Sequence, residues 1–463
     1  MVDLVRKRVA VIGGGIAGLA AAVRLRDLTP PGTELIVYEQ GGALGGKLRT
    51  GELGGLPVER GAESFLTSAP DGGESAAVAL AKRLGLPLVH PAQVPAALSI
   101  GGRLTPIPAG TLVGVPADPA GVGAVARAGG DDRDDGRPLL GPGEDVAVGA
   151  LVRARYGDEV VDRLVDPLLG GVYAGRADRL SLQVAMPQLA AAARVEHTLG
   201  AAVRAAQARS RRVPGRPIFT AVEGGMSRLV AAAAAAGGAR ISLGLPVREL
   251  SRTAHGWRLL LGPVPAPQTD DVDAVVLAVP AKPAARLLAG AVPDAADAAA
   301  TLDYASVALV GLALPPGTPL PELSGFLVPP SEGTVVKAAT FFTRKWPHLT
   351  TAGGPVILRA SLGRHGEEAR LQFDDAALIA LARRELGELI GAELPPPAAA
   401  WLQRWGGGLP QYAPGHADRV AAVRAQLPPG LAVAGAAFDG VGIPACIASG
   451  ERAAEDVSKS LEE

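Results

Sequence analysis

Apolar residues along the chain fall into two kinds of pattern. Short unbroken runs, Val9–Ile12, Leu35–Tyr38 and the Val275–Leu277 part of DAVVLAVPA, read as strands buried on both faces. Longer stretches carry apolar positions three and four apart, as in residues 74–90 and in DVAVGALVRARYGDEVVDRLVDPLLGGVYAG, and these read as amphipathic helices, with Gly170-Gly171 predicted to break the second. LSIGGRLTPIP is predicted to be a hairpin closed at Gly101-Gly102 and ended by Pro106 and Pro108. ARISLGLPVREL, GWRLLL and DAVVLAVPA read as strands of an antiparallel meander returning to a main sheet. Tyr304–Leu314, Val335–Phe342 and Val356–Ser361 suggest a second antiparallel sheet, and Asp374–Leu389 a helix. The segment from Gly121 to Asp145, with GGDDRDDGR, is predicted to be a solvated loop.

The first strand runs into Gly13-Gly14-Gly15-Ile16-Ala17-Gly18 and then a helix rich in Ala and Leu. This is the G-x-G-x-x-G turn of a dinucleotide-binding unit. Gly13 permits the turn, Gly15 lets a pyrophosphate approach, and Gly18 lets helix and strand pack closely. The helix N-terminus then offers unpaired N–H groups and a positive dipole end to phosphate. Glu39 and Gln40 close the second strand; Glu39 lies 21 residues past Gly18 and is predicted to accept from ribose hydroxyls. LGGKLRT follows, with Gly45, Gly46, Lys47 and Arg49; it has no role in a plain NAD fold and looks like the second glycine motif of amine-oxidase-like flavoproteins, which points to FAD. GVGAVA at Gly121–Ala126 also matches a glycine turn, but no strand precedes it, so no second dinucleotide fold is expected.

Composition narrows the picture. With 463 residues, two or three domains are expected. A formal net charge of -1 and the absence of a long basic block argue against nucleic acid as a partner. The sole cysteine, Cys446, fits a reducing cytosol and reads as a small buried hydrophobe. Arg6-Lys7-Arg8 before an apolar stretch could suggest a secretory signal, but cleavage there would remove the glycine turn. The uncharged run Val9–Val23 is 15 residues, too short for a membrane span. A cytoplasmic protein without an integral membrane segment is expected, and nothing points to a metal.

Several stretches together resemble the protoporphyrinogen and coproporphyrinogen oxidase family: LGGKLRT, GAESFLTS, DPLLGGVYAGRADRLSL, FTAVEGGMSRL, VVLAVPA, KAATFFTRKWPH, LPQYAPGH and GAAFDGVGIPACIASG. The resemblance covers nearly the whole chain and is weakest from Gly121 to Asp145. It implies α/β plus α+β architecture: a discontinuous Rossmann-like FAD-binding domain of the p-hydroxybenzoate-hydroxylase and amine-oxidase type (1–73, 211–288 and 426–463), a helical domain (74–210, with a substrate-domain hairpin near 97–108) and an antiparallel-sheet substrate domain (289–425). It implies that Gly61, Ala62, Glu63 and Ser64 pass the isoalloxazine and ribityl chain, and that Val247 contacts adenine through its backbone.

The C-terminal stretch has its own physical reading. Gly435 ends a strand, Gly440 and Gly442 keep the loop free of side chains, and Pro444 suits the first turn of a final helix containing Ile443 and Ile447. That helix N-terminus would favour negative charge developing on a reduced flavin. The resemblance, closest in look to the soluble Gram-positive coproporphyrinogen III oxidases, implies non-covalent FAD and oxygen-linked removal of six electrons from coproporphyrinogen III in three hydride steps, in haem biosynthesis. Protoporphyrinogen IX is the alternative substrate; an amine oxidase or a porphyrin-binding flavoprotein without catalysis are the further alternative functions, and a transient haem-pathway enzyme is the partner such a role would have. No protein acid or base is assigned, and His348 and His416 read as structural. Lys337, Arg344 and Lys345 form a candidate cluster for substrate propionates, and Phe65 and Tyr173 are candidate pocket walls.

Overall fold

The computed structural model of the chain describes residues 7–209 and 215–462. At its centre five parallel strands lie in the order Arg240–Leu243, Glu34–Glu39, Arg8–Ile12, Ala274–Leu277 and Leu431–Val433. Alternation decides which layer each residue joins. Val9, Val11, Leu35, Val37 and Val276 pack into one core with the helices Ile16–Leu28, Ser227–Gly237 and Ile443–Glu462. Ala10, Ile12, Ile36, Tyr38, Val275 and Leu277 face a second core built with an antiparallel meander, Val247–Arg252, Trp257–Leu261 and Gln268–Val272. Both faces are covered, which is why these strands read as unbroken apolar runs.

ARISLGLPVREL does not form a single meander strand. Gly244, at φ 65°, and Pro246 divide it, so Arg240–Leu243 becomes the edge of the parallel sheet and Val247–Arg252 begins the meander.

A seven-stranded sheet runs in the order Ala399–Gln411, Asp303–Leu314, Val356–Leu362, Val336–Phe341, Gly325–Leu327, Ala96–Ile100 and Arg103–Pro106, antiparallel except where Gly325–Leu327 meets Ala96–Ile100. The predicted hairpin is present: Ile100 pairs with Arg103, and Gly101 and Gly102 take φ of 56° and 74°, the signs a two-residue turn with matching twist requires. Helix Asp375–Ile390, capped by the Asp374 carboxylate on the Ala377 N–H, covers one face. Strand Ala399–Gln411 was not anticipated; WGGG in its middle carries little strand signal, and its 13 residues are held by pairing with Asp303–Leu314.

Helices between Val148 and Arg209 pack around Leu151, Leu164, Leu189 and Val203 as a separate core. The expected break at Gly170-Gly171 lies elsewhere. Both glycines sit inside helix Asp166–Tyr173, which ends at Ala174 in the left-handed region, φ 52°. Gly171 is small because a Cβ there would lie 3.1 Å from the Leu327 side chain. The acidic loop is also tied down more than its composition suggests: Asp132 accepts from the N–H groups of Leu199 and Gly200 at the start of helix Leu199–Arg209, at 2.7 and 2.9 Å. GVGAVA forms no strand–turn–helix unit; only a short 3-10 turn, Pro119–Val122, touches it. No helix among the described residues is long and apolar enough to cross a membrane. Arg6 and residues 210–214, parts of stretches considered above, lie outside the described residues.

Candidate functional site

The glycine turn is shaped by what surrounds each missing side chain. Gly13 takes φ 110°, its N–H donates to Tyr38 O at 2.8 Å, and a Cβ there would lie 2.4 Å from Ala278 O. At Gly18 a Cβ would lie 2.0 Å from Gly13 O. At Gly15 it would meet nothing within 4 Å. Gly13 and Gly18 are therefore demanded by protein packing, whereas Gly15 opens onto free space at the start of helix Ile16–Leu28. No side chain caps that helix, so its first N–H groups remain available; Ile16 and Ala17 are buried in its first turn. Bare space, an uncapped helix end and glycine backbone together fit a phosphate group.

Glu39 closes one side. Its carboxylate accepts from the N–H of Gly14 at 2.9 Å and of Gly41 at 2.7 Å, which fixes its orientation and leaves acceptor capacity on both oxygens. Gln40 is exposed. The second glycine motif closes the other side: Gly45 donates to Gly14 O at 2.8 Å, and Gly46, at φ 57°, stands over Gly15. Lys47 has no ion-pair partner among the described residues, and burial lowers its ammonium pKa. Gly61 packs on the Lys47 carbonyl so closely that a Cβ would lie 1.9 Å from that oxygen, and Ala62 donates to it at 3.2 Å. Ser64 is half-buried beside them, and Val247 opens the meander opposite Leu261.

The C-terminal segment joins this cradle through the last helix. A Cβ on Gly450 would lie 2.0 Å from Ala17 O, so Ile443–Glu462 rests directly on the glycine-turn helix. Gly435, at φ 115°, donates to Ser449 Oγ at 2.8 Å; Ser449 in turn bonds Asp439, while Tyr412 donates to Ala436 O at 2.6 Å. Ile443 and Ile447 are buried under the loop, and at Gly442 a Cβ would touch only Pro444.

Beside the cradle is a cluster that sequence reading only half found. Glu63 is largely buried and bonded to Lys345 on one oxygen and to Arg359 Nη2 on the other at 2.6 Å. Arg359 also donates to Glu59 O and Gly61 O, both at 2.9 Å, and lies 5.0 Å from the Phe342 ring centroid. Burial alone would raise the Glu63 carboxyl, but the two cations outweigh it and hold it lowered. Arg359 was missed, although a lone charge within the apolar run VILRASL was a signal. Glu59, which accepts from Met226 N at 2.8 Å and Thr50 Oγ1 at 2.9 Å, was missed too.

The three cations considered for propionates go to three different places. Lys337 is buried with its ammonium on Gly170 O at 3.3 Å, Arg344 is exposed and paired with Glu322 at 3.0 Å, and Lys345 belongs to the Glu63 cluster. A bulge at Lys337 interrupts the strict alternation that would have put it on one face with Ala339. Phe65 is buried in the core beside Phe219–Val222, whereas Tyr173 packs edge-on against Tyr412, ring centroids 5.6 Å apart, and so reaches the C-terminal loop.

A model of the flavin containing amine oxidoreductases matches residues 16–458. The chain belongs to that family. Within it, the chain is a member of the porphyrinogen oxidase branch: it is 39% identical over 472 residues to a coproporphyrinogen III oxidase of Mycobacterium tuberculosis, covering 98% of this chain and 97% of that one. It is 31% identical to a coproporphyrinogen III oxidase of Bacillus subtilis, covering 97% and 98%. Among solved structures, a chain from an Exiguobacterium species described as a protoporphyrinogen oxidase superposes with a TM-score of 0.82 at 29% identity, covering 99% of each. A putrescine oxidase at 19% identity and a TM-score of 0.71 shares the fold. A flavin is therefore the cofactor of this family member.

Proposed function

We propose that this flavoprotein binds FAD non-covalently and oxidises coproporphyrinogen III to coproporphyrin III in the cytoplasm, with oxygen as the final acceptor. The observation that carries the reading is the conjunction of the two-ended cradle with near-full-length relatives named coproporphyrinogen III oxidase. When bound, FAD supplies a hydride acceptor for the substrate's meso carbons.

The chain's own groups bind and position. Gly13–Gly18 would take the pyrophosphate, Glu39 the adenosine ribose, and Val247 the adenine, while Gly46, Lys47 and Gly61–Ser64 would border the riboflavin half. The N-terminus of the helix from Ile443 would stabilise negative charge there. Arg359 and Lys345 hold Glu63, and with it the Glu59–Glu63 segment, against this cradle. Cys446 supports non-covalent binding: it is buried, its thiol donates to Gly440 O, and burial pushes it up to about 11, so little thiolate is available to attack a ring. His416 is buried, and burial lowers it to about 4, which makes it a weak proton acceptor and fits its reading as a structural residue. Tyr173, on a helix end whose neighbour Val172 is half exposed, is the pocket wall favoured by position.

The test is an aerobic assay of purified protein with coproporphyrinogen III and protoporphyrinogen IX, following porphyrin fluorescence and peroxide. A faster enzyme-dependent rate with the four-propionate substrate is expected. Preference for the two-propionate substrate would overturn the substrate assignment, and no rate with either would overturn the activity.

A further inference from the structure

Between helix Asp166–Tyr173 and strand Val336–Phe341 lies a small, partly open cavity bordered by Asp166, Gly170, Arg176, Val328, Lys337 and Arg364. Its polar groups are poorly satisfied. Lys337 is 6% exposed, and its ammonium has one acceptor, Gly170 O at 3.3 Å, for three N–H bonds. Arg176 Nε is 2.9 Å from Asp166 Oδ2 but outside hydrogen-bond geometry, so both buried atoms lack a hydrogen-bond partner. Arg364, 4% exposed, spends two N–H bonds on Thr334 O and Val328 O at 2.9 and 3.0 Å. Buried groups left in this state call for a partner that the protein itself does not supply.

The charges say what kind of species it is. Lys337, Arg364 and Arg176 bring three positive charges to the wall and Asp166 one negative, and neither Lys337 nor Arg364 has a carboxylate within ion-pair distance among the described residues. Glu367 acts on Arg364 only at longer range and is itself paired with Arg370. Uncompensated buried cations are strongly disfavoured. The cavity has room for about one small sphere, the size of a water or a monatomic ion.

We propose that this cavity is a binding site for a single monatomic anion of the halide class, held by Lys337 with Arg364 and Arg176. The ion offsets one of the two excess positive charges and ties the helix carrying Tyr173 to the substrate-domain strand. Without it, burial and the nearby Arg364 and Arg359 bring the Lys337 ammonium down to about 7.

Crystals of the purified holoprotein soaked in sodium bromide test this directly by anomalous scattering at the bromine edge. A bromide peak within hydrogen-bond distance of Lys337 Nζ is expected, absent in Lys337→Met. No peak in the wild-type cavity, or water density alone, would overturn the proposal, and this reading does not depend on the variant folding. In solution, chloride should raise the melting temperature saturably relative to acetate at equal ionic strength, by a few degrees. That difference should vanish in Lys337→Met and shrink in Arg364→Gln; a difference unchanged in both folded variants would also refute the site.

Discussion

At the scale of single residues, the glycines of the first turn separate folding from binding. Gly18 is packed against Gly13 O, so Gly18→Ala forces a backbone shift; overpacking of this kind costs about 1–3 kcal/mol, and the apoprotein should melt correspondingly lower. Gly15 faces open space, so Gly15→Ala is expected to leave apoprotein melting unchanged while reducing FAD affinity at least tenfold, read by fluorescence quenching on titration. If both variants behaved alike, the distinction between a packing glycine and a cofactor glycine would be lost. His416 offers a pH test. It is buried beside the Tyr412 ring, and burial lowers it to about 4 from an unfolded value near 6.5. Between those values the unfolded chain binds the extra proton, so the stability that depends on neutral His416 is complete above 6.5 and is lost as pH falls toward 4, on the order of 2–3 kcal/mol. Urea unfolding from pH 7 to 4.5 should show a shallower decline in His416→Gln.

At the scale of elements, the contact of the final helix with the glycine-turn helix is the joint on which the cradle depends. Gly450→Val would drive a side chain into Ala17 O and push two helix N-termini apart. The expected result is a lower melting temperature together with weaker FAD binding that excess cofactor only partly restores. Elements set by local pattern were legible beforehand: the buried strands, both glycine motifs, the Gly101-Gly102 hairpin and the Asp374-capped helix each carry their signal within about ten residues. What escaped was decided by distant partners. Arg359 meets Glu63 across 296 positions of chain and Lys345 meets it across 282, so no window of sequence shows that these charges form one cluster. The same reason disperses the supposed propionate cluster: Lys337, Arg344 and Lys345 are close in sequence, but each is claimed by a different neighbour. Gly170-Gly171 misled in the opposite direction, because glycine inside a helix can answer to close packing on Leu327 as well as to a break.

At the scale of the whole molecule, the proposed cofactor site closes a circuit through the chain. Strand Arg8–Ile12 lies between Glu34–Glu39 and Ala274–Leu277, Ala274–Leu277 pairs with Leu431–Val433, and the last helix returns to the first. A ligand gripping this arrangement binds only the folded chain, so it stabilises by RT ln(1 + [L]/Kd), about 2.7 kcal/mol at a hundredfold excess over Kd. Half of the proposed grip lies on the pyrophosphate and the adenosine, through Gly15, Glu39 and Val247, rather than on the isoalloxazine. Apoprotein titrated with FAD should therefore melt progressively higher, with a shift that keeps rising with the logarithm of free FAD. FMN keeps the flavin ring and one phosphate but lacks the adenosine that Glu39 and Val247 would hold, and should give a clearly smaller shift at equal concentration. Glu39→Gln should narrow the gap between the two, since it weakens only the grip FMN never had. Equal shifts from FAD and FMN in the wild type would place the binding energy on the ring and remove Glu39 from the site.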